Sequence, residues 1–246
     1  MELTSTEDVA AACQDDTIVM WAAQGMRPGI RAWAHGEAVA VASPDLNRRD
    51  RLTVRGPAGQ AAVLVRRVLP ELAPSYRVMA ERDLAGELVG LLPGSGPVRP
   101  FEWMETATPP SPQDSGEEET GWLEERDAEV AALLAEAAPA AWAVPGLPGI
   151  RRWAGVRAAD GSLVATAADA WSCPEVGFVA GVATVSALRG RGYGRRVCAF
   201  VFRSLIAAHG RVALVVDTDN RAAIGVYERL GMRLRPVAAL APFSAG

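Results

Sequence analysis

The sequence predicts an α+β chain in two parts, a smaller α+β domain over residues 1–100 followed by a larger domain over 101–246. Three observations carry this. Arg152 to Arg157 and Ser162 to Ala168 flank Ala159-Asp160-Gly161, a strand, Asp-Gly turn, strand pattern that specifies an antiparallel hairpin. Apolar residues recur at helical spacing in Leu123, Val130, Leu133 and Leu134, and again in Val197, Phe200, Val201 and Leu205. From Thr106 to Thr120 the apolar periodicity gives way to Pro, Ser, Gly and carboxylates, the composition of a flexible acidic loop.

In chain order, the first part offers strands at Gly29 to Ala34 and Ala38 to Ala42, joined near His35 and Gly36, and at Arg51 to Arg55. A helix is predicted from Gln60 to Leu72, stopped by Pro74, and a further strand from Phe101 to Thr106. The second part opens with an amphipathic helix from Trp122 to Ala138, with Pro139 beyond its end. After the hairpin, Val176 to Val185 is almost wholly apolar and built of small residues, which predicts a central strand covered on both faces. A helix from Arg195 to His209 ends on Gly210, a short buried strand spans Val212 to Val216, and a helix from Arg221 to Leu230 closes on Gly231. No internal sequence repeat is evident.

The chain has 246 residues, with 25 basic against 29 acidic side chains and a formal net charge of -4. This balance gives no global reason to bind nucleic acid or an anionic membrane, whose affinities rest on clustered basic groups. Every basic residue is Arg, so the chain has no lysine of its own to be acylated. Cys13, Cys173 and Cys198 are far apart and form no Cys-x-x-Cys pair, which favours neither a disulfide framework nor a metal site and reads as three buried small hydrophobes. Met1 to Asp8 is acidic and polar, and no run reaches the ~18 apolar residues of a membrane span, so a cytoplasmic protein is expected. His35 and His209 read as structural, and the seven tryptophans as packing residues of which one or two line a cleft.

The chemistry concentrates at Val182 to Arg196, VATVSALRGRGYGRR. A buried strand runs into a glycine-rich loop and directly into a helix, so bare backbone N–H groups and the positive helix terminus converge on one spot. That is an anion site, most naturally for a diphosphate, and Arg189, Arg191, Arg195 and Arg196 add charge to it. A P-loop would need a lysine, and the dinucleotide fingerprint needs G-x-G-x-x-G where Gly190, Gly192 and Gly194 give G-x-G-x-G. What remains is R-x-x-G-x-G at Arg189, Gly192 and Gly194. Downstream, VALVVDTDNRAAIGVYERLGM carries Asn220, Ala223, Tyr227, Leu230 and Gly231 in an N-x-x-A-x-x-x-Y-x-x-x-G pattern. Together the two motifs resemble the GNAT superfamily of acyl-CoA-dependent N-acyltransferases. The resemblance covers about Trp122 to Pro236, with Met232 where that family usually has Phe. By placement alone, the first hundred residues resemble the degenerate first half of a tandem GNAT protein.

The resemblance implies a mixed, mostly antiparallel sheet flanked by helices, and acetyl-CoA as co-substrate. It implies an N-acetyltransferase in which a primary amine, on a small molecule or a peptide, attacks the thioester directly in a ternary complex. Val182, Ala183 and Thr184 would offer backbone groups to pantetheine, one N–H near Val182 or Ala183 holding the developing oxyanion. Arg189, Gly190, Arg191, Gly192, Tyr193, Gly194 and Arg195 would hold the pyrophosphate. Asn220 would orient the pantetheine arm, and Tyr227 would protonate the departing thiolate. Many members place a carboxylate base on the central strand, and here that place falls on Phe178. Glu175 is the nearest carboxylate, but strand alternation turns it to the opposite face unless a bulge intervenes. Glu102, Glu105, a water chain, or an amine that binds already neutral compete for the role. Ala180 and Gly181 would leave room for a longer acyl group. The missing strand carboxylate also admits a CoA-binding sensor or scaffold without turnover. No nucleic-acid or membrane partner is expected, and an exposed sheet edge or the N-terminal half offers a surface for a homodimer.

Overall fold

Short-range signals set most of the elements in the computed structural model, which describes residues 1–96, 98–111 and 120–240. Ser5 and Asp8 form a capping box that starts α1 (Thr6–Cys13), following a two-residue strand β1 (Glu2–Leu3). The Asp16 carboxylate caps α2 (Thr17–Ala23) by accepting from the N–H groups of Ile18 and Val19. Then come β2 (Arg31–His35), β3 (Ala38–Ser43), β4 (Arg51–Arg55), α3 (Ala58–Val68), β5 (Arg77–Glu81), α4 (Arg82–Leu91) and β6 (Val98–Thr106). The second half runs β7 (Thr120–Leu123), α5 (Asp127–Ala137), β8 (Ile150–Arg157), β9 (Leu163–Ala170), β10 (Gly177–Thr184), α6 (Tyr193–His209), β11 (Val212–Val216), α7 (Arg221–Arg229) and β12 (Arg233–Leu240).

The chain forms two compact units, Met1–Trp103 with Arg235–Gly246, and Met104–Leu234. A division at 100/101 is therefore shifted by three residues, and the last strand returns to the first unit because β12 pairs antiparallel with β5, Val237 opposite Glu81. In the first unit the strand order is β1-β2-β3-β4-β5-β12, antiparallel except for the β4–β5 pair. Its core joins Leu52, Leu64, Val65, Val78 and Leu88. The second unit orders its strands β11-β10-β9-β8-β7, antiparallel except for β10–β11, over a core of Met104, Val179, Phe202, Leu214 and Tyr227. The mixed, mostly antiparallel sheet flanked by helices is thus present.

Several expectations need correction. Trp122 and Leu123 are not the start of a helix. They pair with Ala154 and Trp153 across β7–β8, and the helix begins only at Asp127. The helix expected at Gln60–Leu72 runs from Ala58 to Val68 and tightens into a 3-10 turn at Leu69–Glu71, where Pro70 cannot donate an N–H. The elements α1, α2, β5, α4 and β12 had no periodic signal long enough to announce them. All three cysteines are buried, as expected of small hydrophobes. Residues 112–119 of the acidic segment lie outside the described residues. Among the described residues no helix is long and apolar enough to cross a membrane.

Candidate active site

Strand β10 parts from its neighbours at one place. Its parallel pairing with β11 runs from Gly177 opposite Val212 to Val179 opposite Leu214 and stops, although the strands continue to Thr184 and Val216. On its other side the register with β9 shifts between Ala180, opposite Ala168, and Ala183, opposite Thr166. Three steps on β10 span two on β9, so one extra residue bulges out. Gly181 occupies the bulge at φ +61°, and a Cβ there would lie 2.5 Å from Cη2 of Trp153 and 3.3 Å from Cβ of Ala143. Only glycine fits without moving the indole. We expect Gly181→Ala to lower stability by about 1–3 kcal/mol, read as a fall in melting temperature, because it combines a clash with a left-handed backbone. The edge of Trp153 thus occupies the space directly beside Gly181.

The strand leads into a clamped turn. Arg189 donates through Nε to the Thr184 carbonyl at 3.3 Å and through Nη2 to the Ala137 carbonyl at 2.7 Å, tying the turn to the C-terminal end of α5. Glu136 completes the tie by accepting from the Ser186 N–H at 3.2 Å. Arg189 thus holds backbone rather than standing clear in the anion site. Gly190 and Gly192 follow at φ +80° and +87°. Gly192 is the N-cap of α6 and supplies no side chain to satisfy the first-turn N–H groups, and nothing stands within 4 Å of where its Cβ would be. The first N–H groups of this 17-residue helix therefore have no side-chain cap. Arg191 and Arg195 are exposed beside it, and Arg196 lies over the Tyr193 ring at 5.2 Å. Gly194 keeps the helix start against the strand, since a Cβ there would sit 3.1 Å from Oγ1 of Thr184.

Helix α7 adds two of the expected residues. Asn220, exposed, caps it by accepting from the Ala223 N–H at 3.2 Å. Tyr227 turns inward, 6% exposed, with its ring 6.3 Å from that of Phe202 on α6. Burial, and Cys198 beside it, push the phenol well above its ordinary pKa, so it stays protonated throughout the neutral range. Cys198 and Cys173 are likewise pushed up to about 12 by burial. For all three the neutral form is favoured in the fold, so stability is retained below their unfolded pKa values and falls as pH rises above about 9 to 10. Thermal melts from pH 8 to 11 should show that decline.

Of the carboxylates expected to compete for the base, Glu175 lies before the strand that carries the bulge. Glu175 sits in the turn before β10, its carbonyl accepting from Nε of Arg211 at 3.1 Å and its Oε2 buried without a partner. It stands two residues before β10 begins, and from Gly177 to Ala180 the strand itself spans about 10 Å. We expect Glu175→Gln to leave turnover within about twofold, since proton transfer needs hydrogen-bond reach. Glu102, in the first unit, pairs with Arg82 at 2.7 Å, and Glu105 lies 3.6 Å from Arg233.

Two features escaped the sequence. Trp153, 4% exposed, forms the wall of the bulge with Ala143. Asp169, 2% exposed, lies opposite Val179 and accepts from Ser172 Oγ at 2.6 Å, and that hydroxyl accepts from the Phe178 N–H at 2.8 Å. Arg152 pairs with Asp169 at 3.3 Å and stacks over Trp122 at 3.7 Å. Both depend on strand register, and no local motif marks either.

An interrupted parallel pair, a bulge and an uncapped helix start stand in sequence here. Residues 156–239, which hold all three, match the model of the FR47-like protein family. The structure is also similar to the GCN5-related N-acetyltransferase from Kribbella flavida, over 90% of this chain and 93% of that one, with 20% identity and a TM-score of 0.60. The chain has a GNAT acetyltransferase fold. A GCN5-related N-acetyltransferase from Sphaerobacter thermophilus shares this GNAT fold at 22% identity, with coverage of 97% and 91% and a TM-score of 0.56. A GCN5-related N-acetyltransferase-like protein from Streptococcus suis 89/1591 shares it at 11% identity, with coverage of 96% and 98% and a TM-score of 0.57. No curated protein matches this chain.

Proposed function

We propose that this GNAT-fold chain is an N-acyltransferase that moves an acetyl group from acetyl-CoA to a primary amine. The observation that carries the reading is the continuity of one path: the backbone edge of β10 freed beyond Val179 runs into a helix start with no cap of its own. The residues fit the co-substrate by their donor set. The α6 N–H groups with Arg191 and Arg195 would take the diphosphate, and the β10 backbone from Val182 to Thr184 would pair with the pantetheine amides. Acetyl-CoA supplies the activated acyl thioester. The chain's own part is to hold that thioester at the bulge, to keep water from it with Trp153, and to offer the Tyr227 proton. With Phe178 where a strand carboxylate would stand, the amine is delivered neutral. We expect the pH profile of kcat/KM to follow the pKa of the amine rather than that of a protein group.

The reading extends to the first unit. There β2, β3, β4, α3, β5 and α4 succeed one another as β8, β9, β10, α6, β11 and α7 do in the second, with a parallel pair in each, β4–β5 and β10–β11. The turn after β4, Arg55-Gly56-Pro57, has no Gly-x-Gly, and Pro57 lacks an N–H, which supports a degenerate copy that takes no CoA. Calorimetry should then give one acetyl-CoA per chain.

The test is thiol release from acetyl-CoA across a panel of primary amines. Amine-dependent release supports the transferase. Phe178 in place of a strand carboxylate favours a second reading, a CoA-binding sensor, which saturable binding without release for any amine would establish. A folded sample that does not bind acetyl-CoA would end both readings.

A further inference from the structure

One face of β10 is closed at the bulge and the other is not. Ala154, Ala167 and Val179 join a buried cluster with Val197 and Phe202 of α6, so α6 covers that face of the sheet. Successive residues of a strand alternate in direction, so the neighbours Trp153, Ala168 and Ala180, which stand opposite one another across β8, β9 and β10, belong to the other face. There Trp153 and Ala168 are buried, but Ala180, Gly181 and Val182 are only half-buried. Solvent reaches the strand at its bulge.

What stands over this open face is the segment 138–149, which like β10 belongs to the second unit. It leaves the C-terminal end of α5, which Arg189 and Glu136 tie to the turn after β10, and it meets the bulge at Ala143, whose Cβ is 3.3 Å from where a Cβ on Gly181 would be. Its sequence, APAAWAVPGLPG, runs for twelve residues without a charged side chain, a hydroxyl or a side-chain amide. The nearest charged residues in sequence are held on backbone: Glu136 accepts from the Ser186 N–H, and Arg151 donates to the Ser172 carbonyl at 3.2 Å.

Apolar side chains in this segment nevertheless face water. Trp142, the neighbour of Ala143, is 41% exposed, and Val144 and Leu147 are half-buried. One Cα–Cα step from Ala143 puts Trp142 within roughly 10 Å of Gly181. An acceptor must bring its nitrogen to about 3–3.5 Å from the thioester carbon, so with the thioester at the bulge the rest of the acceptor lies against this segment. A second charge or a hydroxyl on the acceptor would give up water there and gain no side-chain partner from these twelve residues. An apolar body instead removes exposed indole from water, and a flat aromatic one also stacks on it.

We infer that the acceptor is a primary amine carried on a compact apolar body, aromatic above all, and that Trp142 is the residue that selects it. The inference rests on the acetyl-transfer reading proposed above, since that reading places the thioester at the bulge.

The experiment is thiol release from acetyl-CoA by the full chain with 2-phenylethylamine, cyclohexylmethylamine, ethanolamine and putrescine, each compared at the concentration of its unprotonated amino group. kcat/KM should be at least tenfold higher for 2-phenylethylamine than for ethanolamine or putrescine, with cyclohexylmethylamine between. Trp142→Ala should raise KM for 2-phenylethylamine at least fivefold and change kcat less than twofold, and Trp142→Phe should recover most of the loss. A purely structural role for the indole would instead lower kcat and the melting temperature together, and would overturn the inference. Ethanolamine or putrescine used as well as the apolar amines would also overturn it while leaving the transferase reading intact. So would a KM for 2-phenylethylamine that Trp142→Ala leaves unchanged. Release by none of the amines, from a folded sample that binds acetyl-CoA, would end the transferase reading and this inference with it.

Discussion

Gly192→Asp should abolish measurable acetyl-CoA affinity, with a loss of at least about a hundredfold, or about 2.7 kcal/mol. Gly192 is the N-cap of α6, at φ +87°, with open space around it. An aspartate there would act as a helix cap, its carboxylate accepting from the first-turn N–H groups that a diphosphate would otherwise take. The loss combines displaced charge-assisted hydrogen bonds, each worth about 1.5–3 kcal/mol, with repulsion between like charges. The left-handed backbone costs the variant about 1–2 kcal/mol of stability, which a thermal melt would reveal. Gly192→Asn carries the same bulk and tolerates that backbone better but adds no charge, so it should retain most of the affinity. Calorimetry of both variants separates the two terms. Equal affinity in wild type and Gly192→Asp would remove the α6 terminus from the reaction.

Tyr227→Phe should lower turnover on the order of a hundredfold, the usual scale of general acid catalysis, with little change in acetyl-CoA affinity. The ring lies in the core against Phe202, and phenylalanine preserves that packing. Because burial holds the phenol neutral, the wild-type rate should show no loss of the acid below about pH 10. The variant should also lose the part of the alkaline decline in stability that arises from this group. Full turnover of Tyr227→Phe across the pH range would leave Tyr227 as a packing residue and assign the departing thiolate its proton from water.

Some of this chain is written locally. The Asp160-Gly161 turn makes the β8–β9 hairpin, with Gly161 at φ +83°, because residues two apart decide it. The loop from Arg189 to Gly194 and the spacing from Asn220 to Gly231 are short enough to be read directly as motifs. Elsewhere the deciding partners are distant. Leu123 and Val130 lie at helical spacing, yet Leu123 belongs to a strand because Trp153 pairs with it. Asn220 and Arg189 were both expected at the ligand, whereas Asn220 first caps α7 and Arg189 holds the α5 carbonyl end.

The sequence by itself determined that a glycine-rich turn with its arginines runs directly into a helix, because these residues act over fewer than four turns of chain. It also determined that the chain is α+β, since side-chain periods of 2 and 3.6 are local quantities. Only the tertiary structure decided where β10 leaves β11, that Trp153 seals Gly181, and that β12 returns to the first unit. Each of these is a matter of strand register, which hydrogen bonds between residues tens of positions apart fix, and which no short window of sequence contains.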